Sequence, residues 1–206
     1  MKVLLINGSP HKNGCTYTAL CEVEKALQEN GIETEIFHIG SRPVGGCVAC
    51  GGCGKTGQCI YQDTVNEVIE KLPQVDGLIF GSPVYYASPN GSMLGFMDRL
   101  FYAAKAKMEY KPAAVVTSAR RAGTTACLDA MMKYLNFSNM PIVPSVYWNM
   151  VHGSKPEDVL KDAEGLQIMR TLGYNMAWML QCLMAGRESG VPMPKREERV
   201  WTNFIQ

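Results

Sequence analysis

Five short apolar runs, KVLLIN (2–7), TEIFHI (34–39), GLIFGS (77–82), AAVVTS (113–118) and PIVPSVYW (141–148), recur along the chain with longer segments of helical period between them. The intervening segments lie at about 16–30, 63–72, 91–106 and 124–135, and a long one follows at about 156–186. Runs of this length and continuity read as strands with both faces buried, because a strand with one wet face alternates polar and apolar residues. Strands alternating with helices give a parallel sheet covered on both sides. The sequence therefore predicts an α/β fold, a three-layer doubly wound sheet of five parallel strands in the order 2-1-3-4-5. Local signals agree. Gly31 suits the position after the first helix, Asp63 and Asn90 suit N-caps, and Pro156 suits a first helical turn.

With 206 residues and 47% hydrophobic composition, the chain is expected to form one domain over residues 1–206. A cysteine-rich loop is expected at about 42–62 and a C-terminal helix and tail at about 156–206. A formal net charge of +1 gives no field that would favour nucleic acid or an anionic membrane. The apolar run Val3 to Ile6 is too short for a signal core or a membrane span, and eight cysteines are too sparse for a disulfide scaffold. A cytoplasmic location with reduced thiols follows, so a tight cysteine cluster points to metal or redox work.

In such a sheet, ligands bind beyond the carboxyl ends of the strands. After the first strand comes GSPHKNGCTYT (8–18), which lacks the spacing of both the dinucleotide fingerprint and the P-loop. It offers Ser9, Thr16 and Thr18 at a helix N-terminus, where backbone amides and the helix dipole favour a phosphate. The alternative is a plain βα turn with an N-cap threonine. After the third strand, GSPVYYASPNGSMLGFMDR (81–99) places two tyrosines at the crevice, where a flat heteroaromatic ring would stack. After the fourth, SARRAGTT (118–125) supplies Arg120, Arg121 and Gly123, and an arginine there would offset negative charge on a reduced ring.

Cys47, Cys50, Cys53 and Cys59 follow the spacing C-x2-C-x2-C-x5-C. Ligands at i, i+3 and i+6 let a loop wrap one side of an iron-sulfur cubane while the fourth cysteine closes it. Gly51, Gly52, Gly54 and Gly57 would let the backbone turn tightly there. Zinc sites usually draw two pairs of ligands from separate knuckles. The open readings are a 4Fe-4S cluster, zinc, or free or oxidised thiols. Cys15, Cys21, Cys127 and Cys182 default to small buried apolar residues, although Cys15 near a helix N-terminus could have a lowered pKa. His152, after the fifth strand, either faces a bound ring or only hydrogen-bonds its surroundings; His11 and His38 have less claim. The Met-rich segment 165–186 is apolar almost all round, which suits core packing and also a subunit contact. In the tail, Trp201, Phe204 and Ile205 suggest packing onto a neighbour.

Taken together, GSPHKNGCTYT, the cysteine segment and GSPVYYASPNGSMLGFMDR resemble the NADPH-dependent FMN reductase-like branch of the flavodoxin-like superfamily and, within it, the iron-sulfur flavoproteins. The resemblance spans roughly residues 1–125 and carries three motifs in order. It implies a flavodoxin-like fold with the FMN phosphate on Ser9, His11, Lys12, Asn13, Cys15, Thr16 and Thr18. It implies the isoalloxazine on Pro83, Val84, Tyr85 and Tyr86 and on Ser118, Arg120, Arg121 and Gly123, and it favours a cluster on the four cysteines. Cys15 stands where many relatives carry Asn, and Arg121-Ala122 stands where they carry a glycine pair. The implied function is an FMN-dependent oxidoreductase, with NAD(P)H as donor and a flavin, quinone or similar acceptor. The flavin does the chemistry, so no catalytic side chain is assigned. The alternatives are an electron carrier fed by ferredoxin and, in another class, a non-enzymatic redox or metal sensor. A homo-oligomer, dimer or tetramer, is expected.

Overall fold

The computed structural model describes residues 1–198 and 200–204. Five parallel strands form the sheet: β1 (Lys2–Asn7), β2 (Glu33–His38), β3 (Gly77–Tyr85), β5 (Ala113–Ala119) and β6 (Met150–His152). A two-residue strand, β4 (Ser88–Pro89), folds back antiparallel on the end of β3. The order is β2-β1-β3-β5-β6, which is the expected 2-1-3-4-5 winding once β4 is set aside. The helices are α1 (Cys15–Glu29), α2 (Cys53–Thr56), α3 (Thr64–Lys71), α4 (Gly91–Met108), α5 (Thr124–Phe137), α6 (Pro156–Val159) and α7 (Ala163–Glu188).

Successive residues of a strand point to opposite faces. In β1, Leu4 and Ile6 enter the core under α3, α4 and α5, with Phe80, Phe96 and Leu100. Val3 and Leu5 enter the core under α1 and α7, with Leu20, Ile79, Val116 and Met176. All of these side chains are at most 1% exposed, and each such burial stabilises by about 1.5–3 kcal/mol. Strand β2 lies at the sheet edge, so its sequence ETEIFH is half polar. There Glu35 pairs with Lys2 at 3.0 Å and with Lys71 at 2.8 Å.

Several expectations are corrected. The segment 141–148 is not a strand: it touches the sheet only at one bridge, Ala113 to Ile142. Pro141 and Pro144 bring no amide donors, so the chain leaves the sheet and rejoins it as β6. The long last helix is two helices, because the Asp162 carboxylate caps a new start by accepting from the Gly165 amide at 2.9 Å. No threonine caps α1. Helix α1 begins at Cys15 with Gly14 before it, and Thr16 is inside its first turn. The predicted caps Asp63 and Asn90 accept from the amides of Val65 and Met93, both at 3.1 Å. Gly31 has a φ of +73°.

The apolar stripe of α7 finds its explanation in the core, where Met169, Leu172 and Met176 are fully buried. Tyr174, Trp178 and Met184 on the same helix are exposed. Trp201 borders a groove between α4 and α5 that Phe101 and Phe137 also line, and both Trp201 and Phe204 are largely exposed. Ile205 falls outside the described residues. Helices α1 and α7 meet closely at Gly173, where an added Cβ would come within 2.6 Å of the Ala26 Cβ and 2.8 Å of the Val23 carbonyl. Gly173→Val should therefore lower stability by about 1–3 kcal/mol. A reduced urea midpoint at unchanged m-value is the expected readout, and an unaltered midpoint would refute this packing.

Candidate functional site

The carboxyl ends of β1, β3, β5 and β6 surround an open crevice of about 820 Å³, within the size range of small-molecule and cofactor sites. Its first wall is the turn after β1. Asn7 is fully buried; its Oδ1 accepts from the Ser9 amide at 3.1 Å and its Nδ2 donates to the Lys12 carbonyl at 3.0 Å. The Ser9 hydroxyl in turn accepts from the His11 amide at 3.1 Å. From outside, the His38 ring lies 2.8 Å from the Ser9 carbonyl, and Ser41 donates to the Pro10 carbonyl at 2.8 Å. The turn is thus set before any ligand arrives. Gly8 must be glycine, since a Cβ would fall 2.5 Å from the Met93 sulfur and 2.9 Å from the Gly81 carbonyl.

The turn ends at the start of α1, where helix geometry leaves the first amides without carbonyl partners. One residue inside, the buried Thr16 hydroxyl meets the Ser118 hydroxyl of β5 at 2.8 Å, joining two walls of the crevice. Thr18 points back along its own helix, donating to the Gly14 carbonyl at 3.2 Å, and does not line the crevice.

The second wall is the β3–β4 hairpin. Pro83, Val84 and Tyr85 line the crevice, whereas Tyr86 projects fully into solvent. Tyr86 and Ala87 both adopt left-handed backbone, with φ of +49° and +58°. Gly123, with φ of +91°, packs beneath them: a Cβ there would lie 2.8 Å from the Ala87 Cα. Asn90 locks the base by donating to the Gly8 carbonyl at 2.5 Å while capping α4.

Eleven predicted residues thus share one crevice: Ser9, His11, Lys12, Asn13, Cys15, Thr16, Pro83, Val84, Tyr85, Ser118 and Arg120. Thr18, Tyr86, Arg121 and Gly123 do not line it. Arg121 uses its backbone carbonyl, which lies 3.1 Å from the His152 Nε2, while Asp162 accepts from the His152 amide at 2.7 Å. His152 therefore ties the loop after β5 to the loop after β6 and is absent from the crevice lining. The sequence reading missed Pro10, Gly14, Ser41 and Ala119, and also Gly153, Ser154, Lys155 and Pro156. The last four follow β6 directly. Placing the fifth strand at 141–148 hid them, and the rule that ligands meet strand carboxyl ends would have found them.

A second, smaller pocket of about 150 Å³ is lined by Cys47, Cys50, Cys53 and Cys59, with Val48, Ile60, Tyr61, Arg99 and Tyr102 among its walls. Cys59 is the fixed member. Asn66 of α3 donates to its carbonyl and accepts from its amide, both at 2.8 Å, and Arg99 Nε donates to its sulfur at 3.1 Å. Gly51 and Gly57 take positive φ, as a tight turn requires, and a Cβ on Gly52 would lie 2.9 Å from Ile60. Gly54 faces open space, so the turn does not need it. None of the eight cysteines is joined to another in a disulfide. Among the described residues no three His, Cys, Asp or Glu side chains are arranged to hold a metal ion. Of the scattered cysteines, Cys127 is buried as expected and accepts from the Thr117 hydroxyl at 3.3 Å, but Cys182 is exposed.

Comparison with known proteins accords with this geometry. The model of the NADPH-dependent FMN reductase family matches residues 1–155. An iron-sulfur flavoprotein of Methanocaldococcus jannaschii is 29% identical over 191 residues, covering 89% of this chain and 99% of the relative. Among solved structures, RosB with its bound 8-demethyl-8-formylriboflavin-5'-phosphate intermediate is similar with a TM-score of 0.68 at 15% identity, over 100% of this chain and 94% of that one. A flavodoxin from the Archaea gives a TM-score of 0.60 at 14% identity, over 88% of this chain and 99% of that one. At these identities the structural likeness shows the fold, which is flavodoxin-like. Among the described residues no helix is long and apolar enough to cross a membrane.

Cys15 corrects one further expectation. Its thiol lines the crevice and donates to the Gly153 carbonyl at 3.6 Å. Burial raises its pKa, and the nearby carboxylates of Asp158 and Glu157 add to the rise. The helix N-terminus does not prevail. At neutral pH Cys15 stays protonated, so its alkylation should climb only at higher pH than that of a small-molecule thiol. Peptide mass spectrometry across a pH series checks this; a Cys15 rate that rises at lower pH than the free thiol would contradict it.

Proposed function

The chain belongs to the NADPH-dependent FMN reductase family and is a flavin-dependent oxidoreductase; we propose that it takes electrons from NAD(P)H and passes them to a flavin, quinone or similar small acceptor. The observation that carries this reading is the Thr16–Ser118 contact at the start of α1, which closes a preset hydroxyl-rich turn against the ring-side loops. The residues present fit FMN. Ser9, Thr16 and the first-turn amides of α1 would hold the phosphate, with Lys12 and Lys155 supplying positive charge on the same crevice. Pro83, Val84 and Tyr85 would bound one side of the ring, and Ser118 and Arg120 another. Bound FMN supplies hydride and single-electron chemistry, so the side chains here bind and orient, and none is assigned an acid, base or nucleophile role.

The cysteine pocket favours a second reading within the same class. Cys47 and Cys50 on the glycine-rich loop, Cys53 at the start of α2 and Cys59 line one small pocket; they are not drawn together as a metal site, but four thiol donors in a single run suit a 4Fe-4S cluster better than paired zinc knuckles. On this reading Cys47, Cys50, Cys53 and Cys59 would ligate the cluster, and the protein would pass single electrons, with ferredoxin as a partner. The relative named as an iron-sulfur flavoprotein supports it. A homo-oligomer, dimer or tetramer, is part of the proposal, supported by the exposed Tyr174, Trp178 and Met184 on one helix. Light scattering that finds a monomer at micromolar concentration would remove that part.

Anaerobic purification followed by an absorption spectrum and FMN, iron and sulfide stoichiometry tests both cofactors together. Ser9→Ala and Thr16→Ala should each weaken FMN binding by about 1.5–3 kcal/mol, roughly tenfold or more. Unchanged affinity in both would exclude the phosphate turn. Serine at any of the four clustered cysteines should lower iron sharply and leave FMN bound, whereas Cys182→Ser should alter neither. Wild-type protein with FMN but neither iron nor sulfide would leave the plain reductase reading and remove the cluster.

A further inference from the structure

Helix α4 turns one face to the sheet through Met93, Phe96, Met97 and Leu100, all fully buried. Its neighbouring face carries the cysteine loop: Ser92 accepts from the Val44 amide at 3.3 Å, and Gly95 leaves room for the Val44 and Gly45 carbonyls. Arg99 lies one turn further on and is only 2% exposed. A buried guanidinium is costly unless its donors are met. Asp63 meets two of them, from NH1 at 2.7 Å and NH2 at 2.8 Å, and the Tyr61 carbonyl meets NH2 at 3.3 Å. Of the other two donors, the Nε–H points at the Cys59 sulfur, 3.1 Å away.

A neutral thiol is a weak acceptor. A metal-bound cysteine sulfur carries negative charge and meets such a donor far better. The fork is also held from two sides, since Asp63 caps α3 and the Tyr61 ring lies 5.0 Å from the guanidinium carbon. Cys59 is thereby fixed at its amide, carbonyl and sulfur, whereas Cys47 and Cys50 are exposed on the loop.

We propose that Arg99 is a positioning residue for the iron-sulfur centre: it holds the Cys59 sulfur in place and, through Nε–H, raises the centre's reduction potential. This rests on the cluster reading above. Added negative charge on a reduced centre is spread over its sulfurs, so a fixed N–H on one of them favours the reduced form.

The test compares anaerobic, FMN-bound wild type, Arg99→Lys and Arg99→Met by iron and sulfide content and by an EPR-monitored redox titration. FMN content reports folding. Arg99→Met should favour the reduced form about tenfold less, a midpoint about 59 mV more negative for a one-electron couple. Arg99→Lys keeps a charge without the fork and should fall between. Loss of iron from both variants with FMN retained would support the positioning role. A midpoint equal to wild type in both iron-loaded variants would overturn the proposal and leave the cluster reading standing. Wild type without iron would overturn both. Should neither variant fold, wild-type protein labelled with 15N-arginine decides the matter: an arginine nitrogen coupled to the reduced centre in pulsed ENDOR supports the contact, and none overturns it.

Discussion

Strands β1 and β5 are buried on both faces along almost their whole length and β3 over Gly77–Ser82, and the remaining architecture follows from that constraint. A strand without a wet face needs helices on both sides, and parallel neighbours need crossovers, so every connection that carries polar function is pushed to a strand end. The same burial sets small residues at the crevice floor. A Cβ on Gly81 would lie 3.0 Å from both Leu20 and Thr16, so its absence lets α1 approach β3 closely enough for Thr16 to reach Ser118. Close packing of helix on sheet and the geometry of the crevice are one arrangement.

Helix α4 connects the crevice to the cysteine pocket. Its cap, Asn90, is bound to the turn after β1 through the Gly8 carbonyl and to β3 through the Ser82 hydroxyl. Two to three turns later the same helix presents Arg99 and Tyr102 to the cysteines. Because its other face is locked in the core, the spacing between the two regions is set by a rigid element, and neither can shift alone without disturbing packed side chains. The cysteine loop itself is held mainly at its ends, by Ser92 near residue 44 and by Asn66 at Cys59.

How much of this could be read in the sequence depended on how local its cause was. Strands that are continuous apolar runs, and helices with Asp63 or Asn90 as caps, were legible because the determining residues are adjacent in the chain. The fifth strand was not, since VYW looks like strand while Pro141 and Pro144 lift that stretch off the ladder and the pairing resumes at Met150. The same displacement concealed the Gly153–Pro156 wall of the crevice. Arg99 carried no signal at all: within LGFMDRLFYAA it reads as an isolated charge on a helix, and only the return of Asp63 and Cys59 from 36 and 40 residues away gives it partners. Cys15 departs from the expected lowered pKa for a related reason: burial, with the distant Asp158 and Glu157 carboxylates, outweighs the helix N-terminus visible in the sequence.

The hairpin after β3 shows how such long-range support fixes a local conformation. Left-handed backbone costs roughly 1–2 kcal/mol at each non-glycine residue, and Tyr86 and Ala87 adopt it consecutively. The strain is opposed on three sides: by pairing of Val84 with Pro89 and Tyr85 with Ser88, by the Asn90 cap, and by Gly123 packed against Ala87. With the turn so determined, Tyr85 stays at the crevice while Tyr86 points the other way, and two adjacent tyrosines that look equivalent in sequence have separate environments. The glycine that permits this belongs to the loop after β5, so the two ring-side loops hold one another in shape before any ligand is bound.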